Sequence, residues 1–398
     1  MKIACVGGGP ACLYFSILMK GVDPSHDVTV YERNPAGSTY GWGVTYSEAL
    51  LRSLHATDPE SARAILDNSV RWERWDYFRG AQTMSDPEAG EGFGIGRQRL
   101  LDILAERARG LGVRIAYERE ITDERELADA DLVVAGDGAG SRVRERHAVD
   151  FGTEVGVGRN GYLWLGTTRA FGSFVFSFEE TEHGWIWCYG YPYSPDRSTC
   201  VVECAPETWK GLGFDRANEA DTLVQLEKIF TGMLDGHPLL GHGDARGSAH
   251  WLNFRTVTNR TWHQDNLVLV GDAAHTTHFS IGAGTTLALR DAALLAAALL
   301  QGRPLPVALA RYERQAGAAV RSAQRSARYS SQWYENLPRY ADLPLPQMVL
   351  LSKLRGYRLV HHLSPKLCYF THQAAANTVG RIADAMHRKV SGDRGGIS

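Results

Sequence analysis

Three acidic residues, Glu32, Asp137 and Asp272, each stand at the end of a short apolar run. A carboxylate just outside the carboxyl end of a parallel strand is on the usual ligand-facing side of such a sheet. There Glu32 can accept both hydroxyls of an adenosine ribose, and Asp272 can accept hydrogen bonds from a polyol. Upstream of Glu32 the run Lys2 to Val6 ends in Gly7-Gly8-Gly9, and Pro10 and Ala11 open a periodic apolar stretch to Met19. Gly7 permits a tight turn, Gly9 lets the backbone approach a pyrophosphate, and free N–H groups at a helix start favour its charge. The spacing is a partial GxGxxG, because Cys12 stands where a third glycine gives close helix-on-strand packing. Arg97 opens another helical stretch, where the helix dipole disfavours a cation, so an anion partner is expected. These residues imply a bound dinucleotide, either a nicotinamide or a flavin.

The elements that must hold these groups follow from pattern. Strand-like runs at Lys2 to Val6, Asp27 to Tyr31, Val113 to Tyr117, Leu132 to Ala135 and Leu267 to Val270 alternate with helical ones, as in a parallel sheet. Leu50 to Leu66 reads as one helix, Val70 to Phe78 as one strand and Glu219 to Leu234 as one helix. Between Asp150 and Cys204 the period drops to two, in pieces joined by Gly, Pro, Asp or Asn, the pattern of an antiparallel sheet. Alternation puts Trp185, Trp187, Tyr189 and Tyr191 on one face. The segment Trp42-Gly43-Val44 sets backbone close to something flat, a cofactor wall or a packed turn. After Asp272, the amides of Gly282, Ala283, Gly284 and Thr285 point from a helix start toward a negative oxygen or a reduced flavin. His275 is expected to fix its loop by hydrogen bonding.

Composition narrows the class. The 398 residues are 44% hydrophobic, and 43 Lys plus Arg against 45 Asp plus Glu give a net charge of -2. Nothing global attracts nucleic acid. No apolar run reaches spanning length and no leader pattern opens the chain, so the expectation is a soluble, cytoplasmic protein, monomer or homodimer, without stable membrane insertion. The six cysteines form no CxxC pair and read as structural thiols; no metal is expected.

Taken together, Gly7-x-Gly9 with Glu32, Asp137-Gly138 within AGDGAGSRVR, and Gly271-Asp272-Ala273-Ala274-His275 resemble the three motifs of the class A flavoprotein monooxygenases, the para-hydroxybenzoate hydroxylase-like family. The likeness covers essentially the whole length. YGWGVTYS at Tyr40 to Ser47, GFGIGRQRLL from Gly92 and HFSIGAGT from His278 to Thr285 are similar to the CoA-thioester hydroxylases of salicylyl-CoA and anthraniloyl-CoA. The resemblance implies an α/β fold: a Rossmann-like FAD-binding domain (1–75, 92–149 and 258–335), an inserted, mostly antiparallel β substrate domain (76–91 and 150–257), a C-terminal helical region (336–390) and a tail (391–398). It implies FAD held by Gly7, Gly9, Pro10, Ala11, Glu32, Arg33, Trp42, Gly43, Val44, Arg97, Asp137, Gly138, Asp272 and the Gly282 to Thr285 amides.

It also implies NAD(P)H as reductant, O2 as oxidant and a C4a-hydroperoxyflavin that hydroxylates an activated phenol or arylamine, free or carried as a CoA or carrier-protein thioester. Pocket candidates are Tyr46, Trp187, Tyr189, Trp251, His278 and Phe279, with Tyr46 or His278 assisting proton loss from the ring. A free aromatic or indole substrate, a flavin halogenase suggested by Trp185-Ile186-Trp187, and a non-catalytic FAD redox sensor are the rival readings. Replacing Cys12 by Gly is expected to preserve or improve FAD retention.

Overall fold

A computed structural model describes residues 1–241 and 249–373. The expected C-terminal helical region lies outside them beyond residue 373, as does the tail. Six strands form the first sheet in the order His263–Gln264, Leu267–Leu269, Leu132–Ala135, Lys2–Val6, Asp27–Tyr31, Arg114–Ala116, all neighbours parallel except the first pair. Buried on both faces, its inner strands are the continuous apolar runs that a covered parallel sheet requires. Four adjacent strands therefore deliver Asp272, Asp137, Gly7 to Gly9 and Glu32 to one edge.

Helix Pro10–Val22 covers this sheet and packs against Arg97–Gly110 and Gly284–Leu299. Cys12 is fully buried within it, its thiol 3.7 Å from the Val6 carbonyl and 3.8 Å from that of Val134. A Cβ built on Gly136 would meet the Cys12 sulfur at 2.6 Å. The small residue that this packing needs has moved from the helix to the facing strand end, so the thiol fills the space that a helix glycine would leave. This packing bears on the stability of a Cys12→Gly variant as well as on its FAD retention. That change is expected to cost about 1–3 kcal/mol, from a mid-helix glycine and an unfilled space. Gly136→Ala alone should cost a similar amount by overpacking. In urea unfolding the double variant should recover part of both losses.

A second sheet of eight strands has the path Leu239–Leu240, Glu154–Thr167, Arg197–Cys204, Gly184–Ser194, Phe174–Thr181, Trp75–Arg79, Gln82–Asp86, with Leu252–Thr258 pairing beside Glu154–Thr167. It is antiparallel except where Phe174–Thr181 meets Trp75–Arg79. A small third sheet joins Gly43–Tyr46, Gly92–Gly96 and Val70–Trp72. The single strand expected over Val70 to Phe78 is thus two, because Trp72 turns to Gly92 while Trp75 begins the large sheet. Pro59 likewise divides the expected helix into Glu48–Thr57 and Pro59–Asp67, with Asp58 capping the second through the Ser61 amide. Glu219–Ile229 ends at Phe230, and Thr231–Leu234 follows.

The two faces of the large sheet are chemically distinct, as strict alternation demands. One carries Ile186, Cys188, Cys200, Val202 and Cys204; the other carries Phe176, Phe178, Trp187, Tyr189, Tyr191 and Val201. Helix Leu305–Glu335 begins against the first core, through Leu309 and Tyr312, and ends on the aromatic face through Trp333 and Tyr334. No helix among the described residues is long and apolar enough to cross a membrane.

Candidate active site

Gly7 carries φ +101°, and a Cβ there would lie 2.6 Å from the Gly136 carbonyl, so the first glycine turn and the Asp137 loop touch backbone to backbone. The Glu32 carboxylate lies against the turn: Oε2 accepts the Gly8 amide at 2.7 Å, and Oε1 accepts the Asn34 amide and side chain at 2.8 Å each. Gly9 precedes the helix with no side-chain cap, which leaves first-turn N–H groups available. Arg33 follows Glu32 at the rim.

Asp137 accepts the Arg142 amide at 2.9 Å through Oδ2, while its Oδ1 is buried without a partner. Ser141 caps helix Arg142–Arg146 through the Arg144 amide, so a turn-capping role is present beside the buried carboxylate. Burial raises the Asp137 carboxyl above its ordinary range, against hydrogen bonds from Ser141 and backbone amides. Gly138, at φ +89°, follows. Arg144, fully buried, donates to the Ala139 carbonyl at 2.7 Å and to the Ala273 carbonyl at 3.2 Å, tying the Asp137 loop to the Asp272 loop. Sequence reasoning passed over Arg144. Its only signal was a charged residue two places into a helix that follows a glycine loop.

Asp272 reaches solvent, yet its carboxyl is pushed up by loss of hydration, opposed by His275 and Arg97. Arg97 has the matching property: desolvation lowers its pKa while Asp272 and Glu32 raise it, so its cation sits within electrostatic range of both carboxylates. It donates to Thr39 Oγ1 at 2.6 Å. Below Asp272, His275 Nε2 contacts Asp291 Oδ2 at 2.8 Å, and the same oxygen accepts the Gly271 amide at 2.9 Å. The loop-fixing role expected of His275 is what the structure shows. Ala283 precedes Gly284–Leu299 without a side-chain cap, so the amides at Gly284 and Thr285 lack a local acceptor; Gly282 turns into this helix at φ +60°.

The flat neighbours of the 40–44 segment prove to be the protein's own rings. A Cβ on Gly41 would strike Trp164, one on Gly166 would strike Trp42, and one on Gly43 would strike Tyr193. The Gly43 amide donates to Thr199 at 2.9 Å and its carbonyl accepts from Tyr191 at 2.7 Å. Of the two readings offered for this segment, the packed turn accounts for Gly43, whose polar groups are taken by the second sheet. Val44 packs on the first core.

The pocket candidates divide. Trp187, Tyr189 and Phe279 come together: Trp187 and Tyr189 lie 5.9 Å apart, and Tyr189 lies 6.2 Å from Phe279, which also meets Tyr162 at 4.6 Å. His278 adjoins Phe279 at 4.1 Å. Tyr46 does not join them. It is buried in the first core, stacked on Phe93 and hydrogen-bonded to Ser69, and burial pushes its hydroxyl up to about 12. Trp251 is on the cysteine-bearing side, packed on Phe214 at 5.2 Å. His278 is held down to about 3 by burial, with Arg355 adding to it. Its Nδ1 pairs with Ser280 Oγ at 2.8 Å, Ser280 with Ser330 at 2.7 Å, and Arg355 donates to Ser330 and to the Ser280 carbonyl. Tyr46 is thus set apart from the aromatic group as part of a core, and His278 is engaged in the contacts that organise its loop. The six cysteines are all buried. Among the described residues no group of three or more His, Cys, Asp or Glu is placed to hold a metal.

The unpaired Asp137 oxygen, the uncapped helix starts at Gly9 and Ala283 and the close-packed Gly7 turn offer the acceptor and donors that suit a dinucleotide. Residues 82–327 match the FAD binding domain family. A salicyloyl-CoA 5-hydroxylase from a Streptomyces species is 38% identical over 85% of this chain, which spans 66% of that protein's length. A 3-hydroxy-4-methyl-anthranilyl-(aryl-carrier protein) 5-monooxygenase from Streptosporangium sibiricum is 36% identical over 89% of this chain and 94% of its own. Among solved structures, the tetrameric form of 2-methyl-3-hydroxypyridine-5-carboxylic acid oxygenase has the same fold, with TM-score 0.69 and 20% identity over 88% of this chain and 95% of that one. The chain belongs to the FAD-binding monooxygenases of the para-hydroxybenzoate hydroxylase-like superfamily, within the flavin-dependent aromatic monooxygenases.

Proposed function

We propose that this protein is an NAD(P)H-consuming hydroxylase of an activated phenol or arylamine carried as a CoA or carrier-protein thioester. The observation that carries the reading is the meeting of the two lobes at Phe279. The aromatic face of the large sheet ends there against the loop between Asp272 and the uncapped helix start at Gly284. The two relatives support the thioester, since their names give a CoA ester and a carrier-bound anthranilyl group as substrates.

FAD held at this edge supplies redox and oxygen chemistry that side chains lack. Gly7, Gly9, Pro10, Ala11 and the adjoining amides would take its pyrophosphate, Glu32 its adenosine ribose, and Asp272 with Arg97 the ribityl and phosphate region. The amides from Gly282 to Thr285 would face the ring. Asp137 and Gly138 would serve the shared FAD and NAD(P)H edge, with Trp42 and Val44 walling it. Trp187, Tyr189, Tyr191 and Phe279 hold an aromatic ring against the cofactor edge and exclude water, which protects a reactive oxygen donor from wasteful breakdown. Arg314, Arg321, Arg325 and Arg328 are exposed at 7, 4 and 3 residue steps along one face of the long helix. That stripe has the sign needed to meet CoA phosphates or an acidic carrier.

The test purifies the yellow protein and screens salicyloyl-CoA, anthraniloyl-CoA, the free acids, carrier-bound aryl thioesters and tryptophan. Stimulated NAD(P)H oxidation coupled to a gain of one oxygen is expected with the thioesters. Activity on the free acids alone would remove the thioester from the reading.

A further inference from the structure

Strand Arg197–Cys204 places one acidic residue, Glu203, inside the aromatic layer. Glu203 lies directly opposite Trp187 on one neighbouring strand and opposite Tyr162 on the other. Residues paired in register share a face, so its side chain joins these rings and not the cysteines. It is 1% exposed. Oε1 accepts the Asn160 side-chain N–H at 2.7 Å, whereas Oε2 has no partner; the buried Tyr334 hydroxyl and Trp187 indole N–H, whose rings stack at 3.8 Å, have none either.

A half-satisfied carboxyl in an apolar layer carries a desolvation cost that a leucine would not. The fold nevertheless supports it with care. Asn160 stands at a bulge in Glu154–Thr167, and Asn253 Nδ2 holds that bulge through the carbonyls of Gly158, Arg159 and Asn160 at 3.3, 3.2 and 3.1 Å. Tyr162, opposite Glu203 in register, also meets Phe279 at 4.6 Å, so one ring links this carboxyl to the loop that follows Asp272. Tyr189, Tyr334 and Glu335 are the other titratable groups within electrostatic range on this side, and Cys204 lies on the opposite face of the strand.

We propose that Glu203, braced by Asn160, is the substrate-recognition group that hydrogen-bonds the hydroxyl or amino substituent of the aromatic ring, with Tyr334 OH and Trp187 Nε1 as adjoining donors. This assignment rests on the aromatic-hydroxylase reading and adds to it the subsite that selects a hydrogen-bonding ring over a bare one. A hydroxyl or amino group supplies the donor and acceptor that the three orphaned atoms lack, and an unsubstituted ring leaves them unpaired.

The test measures binding of anthraniloyl-CoA, salicyloyl-CoA and benzoyl-CoA to the FAD-loaded protein by perturbation of the flavin absorbance, for wild type, Glu203→Gln and Glu203→Leu. The wild type is expected to bind the two substituted rings at least tenfold more tightly than benzoyl-CoA. Glu203→Leu should abolish that preference, and Glu203→Gln, which preserves shape, should reduce it. Equal preference in all three proteins, or no preference in the wild type, overturns the assignment. Selective binding without oxygen transfer would instead leave the subsite standing and count against the hydroxylase reading.

Discussion

Asp291→Ala is expected to destabilise the folded protein by about 3–5 kcal/mol and to strip FAD from the purified chain. Asp291 is 1% exposed and its Oδ2 serves two buried donors, the Gly271 amide and His275 Nε2. Alanine leaves both donors dry and unpaired, which costs far more than the loss of a surface ion pair. Because Gly271 and His275 flank Asp272, the damage should fall first on the cofactor loop. Urea unfolding gives the first quantity and flavin absorbance per chain the second; an Asp291→Ala protein as stable and as yellow as wild type would refute the argument. His275→Ala combined with Asp291→Ala should cost less than the sum of the two, since they share one interaction. Burial pulls the His275 pKa down, but the charge and hydrogen bond of Asp291 outweigh it and the pKa is raised. For a group raised in the folded state, the stabilisation is complete below the ordinary 6.5 and fades as pH climbs through the folded value. Holding other titrations equal, His275→Gln should flatten that decline.

Glu203→Gln is expected to make the protein more stable than wild type at pH 9 and to lose that advantage near pH 5. Burial, with Glu335 adding and Asn160 opposing, holds the Glu203 carboxyl up to about 8 against 4.5 for a free side chain. Between those values the folded chain keeps a proton that the unfolded chain has released. Stability therefore falls as pH rises across this window, and the full shift corresponds to about 5 kcal/mol. Glutamine keeps the Asn160 contact and does not titrate. Parallel stability curves for the two proteins from pH 5 to 9 would show that Glu203 is better hydrated than its burial indicates.

Much of the cofactor edge was legible because it is built from local patterns. An apolar run, a glycine turn and a helix signal occupy consecutive residues, so Gly7 to Gly9, Glu32, Asp137 and Asp272 could be placed at strand ends without knowing the strand order. The aromatic face was legible for the same reason: a period of two assigns Trp187, Tyr189 and Tyr191 to one side. Reading failed where the deciding neighbour is remote in the chain. Tyr46 and Trp251 have the composition of pocket residues, yet they pack into other cores. Glycines 41 and 43, in a segment open to a cofactor wall or a packed turn, lie against the protein's own Trp164 and Tyr193.

The sequence by itself determined a dinucleotide fold of the flavin kind, with its acids at strand ends and an aromatic sheet inserted beside them, because periodicity and turn chemistry are short-range. Only the tertiary structure decided that Gly136 makes room for Cys12, that Asp291 holds the Asp272 loop, and that Glu203 enters the aromatic layer with one oxygen unpaired. Each of these depends on which distant strand or helix lies alongside, and burial and pairing across such contacts leave no local pattern to read.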